Sequence, residues 1–314
     1  MNWIAANIIP LQATVTTFLL ALSFQFPMRL GLFSLAGVGL FGVGAYSSGI
    51  AFAKFHWDTW SSVAFGVVVA ALVGLLLGLV VARLGGLYLA MATIAFDMIV
   101  VVLAGNLTPL TGGYMGLFGI AGKVELWHLG IIAVIVAVLF ALSERGGMSR
   151  RIEAVHDDAA LASSQGINVS AYRLTAFLVS GAVAGLGGAL MLMVRNTTTP
   201  DAYGFGLIVV ALTVAIVGGT KSWIGALIGT IIFTWLPVFL TVVGEWREVV
   251  YGVIVVLAAL FFPTGIWGSI LGVRKRLAER KHAGQRDVVD EMATEPDAAE
   301  TEFLQTVAGK DSEQ

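Results

Sequence analysis

One carboxylate stands alone in a long apolar stretch: between Arg83 and Lys123 the only charged side chain is Asp97. A charge near the middle of a bilayer costs about 2.5–3.5 kcal/mol on insertion scales, so such a residue must face a bundle interior or water. Chemically it could line or gate a path for a polar solute. It could equally be a structural acid, hydrogen-bonded to Thr93 or held neutral. The four histidines, His56, His128, His156 and His282, fall near the ends of apolar runs or in loops. No H-E-x-x-H or G-x-S-x-G arrangement accompanies them, so an enzyme is not expected. There is no cysteine, which excludes disulfides and thiolate metal sites. No metal or cofactor is expected.

Two further segments have the shape or charge for binding. Thr108–Gly119, T-P-L-T-G-G-Y-M-G-L-F-G, places four glycines and a proline in twelve residues, a tightly turning backbone. It either holds a ligand through its amides or joins two elements. Arg150–Val169 reads R-R-I-E-A-V-H-D-D-A-A-L-A-S-S-Q-G-I-N-V. Ser149 is placed to cap one short helix and Asp157 a second running through Ala159–Gln165, and Gly166 suits the left-handed residue after a helix end. Such a pair is a knob that a soluble partner can grip. The alternative, an amphipathic linker on the lipid surface, is disfavoured because Glu153, Asp157 and Asp158 would be repelled by anionic headgroups.

The elements that position these residues follow from hydropathy. The chain of 314 residues is 58% hydrophobic and only 12% charged, with a mean hydropathy of +0.90, whereas soluble domains carry about 25% charged residues. Charge-poor runs cover Met1–Met28, Leu30–Ala53, Thr59–Ala82, Leu84–Gly105, Leu126–Ser143, Leu174–Val194, Ala202–Thr220, Ser222–Gly244 and Val249–Val273. A helix crosses a bilayer in about 20 apolar residues, and barrel strands are shorter and alternating. The expectation is an all-α polytopic membrane bundle of eight to ten transmembrane helices, with nine as the working number. The run Leu30–Ala53 is glycine-dense and could be broken or re-entrant, and Ala202–Thr220 with Ser222–Gly244 could form a tight hairpin. The first run lacks the basic start and cleavage site of a signal peptide.

Lys and Arg concentrate in cytoplasmic loops. Nine spans with the N-terminus outside put 14 of the 18 basic residues inside, leaving Lys54, Lys123, Arg195 and Arg247 outside. The expected topology is N-out and C-in, with residues 1–273 as the membrane domain, a cytoplasmic loop over 144–173, and a tail over 274–314. From Asp287 to Gln314 that tail has nine acids and one base, the composition of a disordered solvating extension. Within the spans, Gly74/Gly78, Gly181/Gly185 and Gly225/Gly229 lie four apart. Each pair offers a flat face for close helix packing, or for a seam that slides.

Five blocks, in order, resemble the LivM-type permease subunits of branched-chain amino-acid ABC importers. They are Leu30–Tyr46 (L-G-L-F-S-L-A-G-V-G-L-F-G-V-G-A-Y), Gly86–Phe96 (G-L-Y-L-A-M-A-T-I-A-F), Thr111–Leu117 (T-G-G-Y-M-G-L), Glu153–Leu190, and Val217–Gly229 (V-G-G-T-K-S-W-I-G-A-L-I-G). The resemblance implies a multi-pass protein of the bacterial plasma (inner) membrane. It implies pairing with a homologous second permease, two cytoplasmic ATPase subunits, and a periplasmic substrate-binding protein that delivers the solute. It also implies that Glu153, Ala154, Asp157, Asp158, Ala159, Ala160 and Gly166 form the ATPase-docking loop, the local version of the E-A-A…G motif. The candidate translocation path is Tyr88, Thr93, Asp97, Thr111, Gly112 and Gly113. The cargo implied is branched-chain amino acids, or, by analogy with relatives, urea, short amides or aromatic acids.

This chain departs from the family at two points. Where relatives often carry glycine then glutamate after A-F, it has Asp97 then Met98. The acid is thereby moved about 100° around a helix, so its role does not carry across. Lys221 stands where glycine is common. The rival class is a secondary transporter or channel, but those usually show several buried charges or broken helices and have no use for a docking loop.

Overall fold

Each charge-poor run becomes a helix because lipid offers peptide groups no hydrogen-bond partner and a helix satisfies them internally. The computed structural model describes residues 7–220, 222–240, 244, 246–261, 265 and 268. The tail over 274–314, with its expected disorder, and Lys221 lie outside the described residues. In chain order the helices are α1 (Ile8–Arg29), α2 (Gly37–Phe55), α3 (Thr59–Val81), α4 (Gly86–Asn106), the single turn α5 (Thr108–Thr111), α6 (Leu126–Ser143), α7 (Gly146–Asp157), α8 (Ala159–Ser164), α9 (Val169–Arg195), α10 (Phe205–Gly218), α11 (Trp223–Phe239) and α12 (Arg247–Phe261). Seven helices are long and apolar enough to cross a membrane, counting α10 with the 3-10 turn Pro200–Tyr203 that leads into it; α11 and the apolar part of α12 are shorter. The expected all-helical, polytopic class is therefore what the chain adopts. All the described residues belong to one compact unit.

Loops gather at two ends of the bundle. At one end Lys54 bonds the carbonyl of Pro109, Lys123 N donates to Thr59 Oγ1 at 3.3 Å, and β1 (Leu117–Phe118) pairs antiparallel with β2 (Thr197–Thr198). At the other, Arg29 reaches Ser143, Glu144 reaches Ser222, and Arg173 reaches the carbonyl of Ala82. Successive long helices thus alternate in direction. The α7–α8 element lies at the second end.

The centre is built by α1, α2, α3 and α9, with α9 packing most extensively on α3, α2 and α1. Small residues make this possible. A Cβ on Gly66 would lie 2.6 Å from the carbonyl oxygen of Gly44, and the backbones of Gly44 and Gly185 and of Gly188 and Phe41 approach as closely. Dispersion contacts replace the hydrophobic effect as the association force in lipid. All three glycine pairs singled out in the sequence sit at such contacts: Gly74 and Gly78 on Phe177, Gly181 and Gly185 on Ala70, and Gly225 and Gly229 on the end of α10. Outward faces of α3, α4 and α6 expose leucine, valine and isoleucine instead.

Candidate functional site

The run Leu30–Ala53 is neither a full helix from its first residue nor a dip. Residues 32–35 belong to no helix or strand, and α2 starts at Gly37 with Ala36 in the capping position, where it has no side chain able to accept a hydrogen bond. The first N–H groups of a helix need acceptors, and inside lipid water does not supply them. Helix α4 does. Thr93 Oγ1 accepts from Leu35 N at 2.9 Å, and Asp97 Oδ1 accepts from Gly39 N at 2.8 Å. Residues 93 and 97 are one helical turn apart and so share a face. Both are fully buried.

Asp97 is thus a cap supplied to α2 from a neighbouring helix. It is not bonded to Thr93, whose hydroxyl donates to the carbonyls of Leu89 and Ala90. Asp97 Oδ2 is buried with no hydrogen-bond partner among the described residues. Glycine at 39 is required by proximity, since a Cβ there would press on Asp97 and lie 2.9 Å from the ring of Phe96.

The other candidate path residues are not assembled around this pair. Tyr88 is 76% exposed on the far side of α4, as nine residues of helix, about 900°, require. Thr111, Gly112 and Gly113 lie beyond the opposite end of α4. There Thr111 is buried and bonds the carbonyl of Ala104 at 2.6 Å, while Gly112 and Gly113 take φ of +76° and +66°. The loop they begin is tied down, because its strand residues Leu117 and Phe118 pair with Thr198 and Thr197. Tyr203, buried against Phe41 and Tyr46, shares a hydrogen bond with Thr198 and anchors the same sheet to α2.

At the other end α7 and α8 form the expected pair of short helices. Gly166 has φ of +82°, the left-handed geometry expected of it. Two caps differ from expectation. Ser149 lies inside α7, which begins at Gly146. The second helix is capped by Asp158, not Asp157: its extended backbone turns Oδ1 onto Ala160 N at 2.8 Å and Leu161 N at 3.0 Å. Asp157 is the last residue of α7. Ile152 and Val155 are buried, while Glu153, Asp157, Asp158 and Ala160 are exposed or nearly so, with Ala154 and Ala159 half-buried. The element therefore grips the bundle by one face and presents a polar one that carries Arg150, Arg151, Glu153, Asp157 and Asp158. Its backbone at His156 lies against Gly31, at the foot of α1. Between them is an open cleft of about 240 Å³ lined by Arg29, Ser149, Ile152, Glu153, His156 and Asp157.

One residue that sequence reasoning passed over is Glu144. It sits between α6 and α7, yet its carboxylate accepts hydrogen bonds at the start of α11. No local signal marks it, because its partners are 78 and 79 residues away.

Seven apolar helices long enough to cross a membrane, packed around a buried polar clip, define the class as a polytopic helical membrane protein. The family model described as "Branched-chain amino acid transport system / permease component" matches residues 9–259, and the chain belongs to that family. It is 26% identical over 270 residues to the high-affinity branched-chain amino acid transport system permease protein LivM of Escherichia coli, covering 75% of this chain and 64% of that protein. The LivM protein of Salmonella typhimurium gives the same figures. The LivH permease protein of Escherichia coli is 29% identical over 148 residues, 46% of this chain and 47% of that one. The chain thus spans a little under two thirds of the length of its LivM relatives. No solved structure gives a significant match.

Proposed function

We propose that this chain is the transmembrane permease subunit of an ATP-driven importer, carrying branched-chain amino acids or related small polar solutes inward across a bacterial plasma membrane. The observation that carries the reading is the α7–α8 pair. A transporter powered by its own ion gradient has no use for a two-helix knob held against the foot of α1. A transporter driven by soluble ATPases needs one.

In this reading a homologous second permease completes the pore, two ATPase subunits bind the exposed side of α7–α8, and a periplasmic binding protein delivers the solute. ATP-driven closure of the ATPases displaces the knob, and displacement of the knob tilts the helices it touches. Glu153, Ala154, Asp157, Ala159 and Ala160 form the contact. Asp158 and Gly166 hold its shape. Thr93 and Asp97 fix the start of α2, and Tyr88 lies on a face of α4 open to the second subunit or to lipid.

The test is co-purification of the ATPase subunits with the full permease pair, using Glu153→Arg and Gly166→Pro. Loss of ATPase binding with intact membrane insertion is expected; undiminished binding and transport would overturn the docking role. Ligand binding by the substrate-binding protein encoded beside this chain, measured with leucine, isoleucine, valine, urea and aromatic acids, identifies the solute.

A further inference from the structure

We infer that Glu144 is a positioning residue that makes helix α11 follow the docking element when that element moves; the inference rests on the reading of α7–α8 as the ATPase contact. Glu144 lies between Ser143, the last residue of α6, and Gly146, the first of α7. Its Oε1 accepts the N–H of Trp223, the first residue of α11, at 2.7 Å, and its Oε2 accepts the Ser222 hydroxyl at 3.1 Å. Ser222 occupies the capping position of α11 but makes no side-chain cap of its own. Glu144 therefore caps α11 from outside.

The residue before it, Ser143, reaches α1. Arg29, the last residue of α1, donates from Nη1 to Ser143 Oγ at 2.9 Å and from Nη2 to the Ser143 carbonyl at 3.4 Å. The step immediately before α7 is thus bonded to the ends of two long helices. Helices α6 and α11 touch only sparingly elsewhere, so the carboxylate is the principal tie between them near this end. A carboxylate accepting from a helix N-terminus makes a bond about twice as strong as a neutral one, and the helix dipole adds to it.

Beyond the tie, Gly146 takes φ of +70° with nothing packed around its Cβ direction, so α7 leaves at a backbone turn that glycine adopts without strain. Movement of α7 reaches the bundle through its contact with the foot of α1 and through this tie. Without Glu144, α11 has lost its connection to the second route.

The chain has no cysteine, which allows a direct test in the assembled complex of both permeases and both ATPases. Spin labels at Leu76→Cys on α3 and Ile231→Cys on α11, both on exposed faces, report the α3–α11 distance without nucleotide and after ATP–vanadate trapping. The expected result is a nucleotide-dependent change in the otherwise native complex. Glu144→Ala should clearly reduce it while keeping ATPase binding and basal ATP hydrolysis, the remainder passing through the packing of α11 on α1, and Glu144→Gln, which retains an acceptor oxygen, should restore most of it. Ser222→Ala, losing only one of the two bonds, should give an intermediate shift.

An unchanged shift in Glu144→Ala overturns the inference and leaves the importer reading standing, as does a native complex that binds ATPases but shows no α11 movement. Equal loss in the Gln and Ala variants also overturns it. A native chain that binds no ATPase overturns both.

Discussion

The carboxylate of Asp97 accepts the backbone N–H of Gly39 at 2.8 Å, joining the middle of α4 to the first turn of α2. A helix that begins inside the bundle is completed by a side chain from its neighbour. The bond also explains how an isolated acid is tolerated in an apolar helix. Its Oδ1 meets a backbone N–H at the start of a helix rather than hydrocarbon.

Replacing that acid separates hydrogen bonding from charge. Asp97→Ala leaves the Gly39 N–H buried and unpaired and should cost about 1–3 kcal/mol. Asp97→Asn keeps an acceptor oxygen and should cost clearly less. Thermal denaturation in detergent, followed by fluorescence-detected size exclusion, measures both. Equal losses would mean that the Gly39 bond is not what Asp97 contributes.

The glycine contacts predict a sharp positional contrast. Gly44→Leu forces a side chain into the backbone of Gly185 and should cost at least the roughly 1–3 kcal/mol typical of overpacked cores. Gly130, in α6, has nothing near its Cβ direction, so Gly130→Ala should be neutral or stabilise by up to about 1 kcal/mol through helix propensity. The same denaturation assay on the two variants checks this. Similar effects at both sites would argue against the seam.

Asp158 and Asp157 are neighbours with different duties. Asp158→Ala should weaken α8 by about 1 kcal/mol, the usual worth of an N-cap, and accelerate hydrogen exchange at the amides of Ala160 and Leu161. Asp157→Ala should leave those amides protected. Exchange followed by mass spectrometry over the α7–α8 peptides resolves the two.

Orientation is accessible to labelling because the wild-type chain offers no background thiol. Lys123→Cys, in the loop before α6, should react with a membrane-impermeant maleimide in intact spheroplasts. Gly147→Cys, at the start of α7, should react only after permeabilisation. The opposite pattern would invert the topology drawn from the basic residues.

Much of the molecule is written locally. Among the described residues, seven of the nine apolar runs became helices long enough to cross a membrane and the other two became shorter apolar helices, because hydropathy and backbone hydrogen bonding act within each segment. The left-handed Gly166 was legible because a helix end makes the same demand wherever it occurs. The choice between Asp157 and Asp158 was finer. Either carboxylate can cap a helix, and the extended backbone at Asp158 selected it.

Other features depended on which segments meet. The sequence by itself determined a membrane-embedded helical chain, a charge bias along it, and a pair of short helices around Glu153–Gly166. Tertiary structure alone decided that α2 starts at Gly37 under a cap from Asp97, that Tyr88 faces away from Thr93 and Asp97, and that Glu144 belongs with α11. Hydropathy and capping preferences act over a few residues. The partners of Asp97 and Glu144 lie 58 and 79 residues away, and only the packing of whole helices brings them within reach of one hydrogen bond.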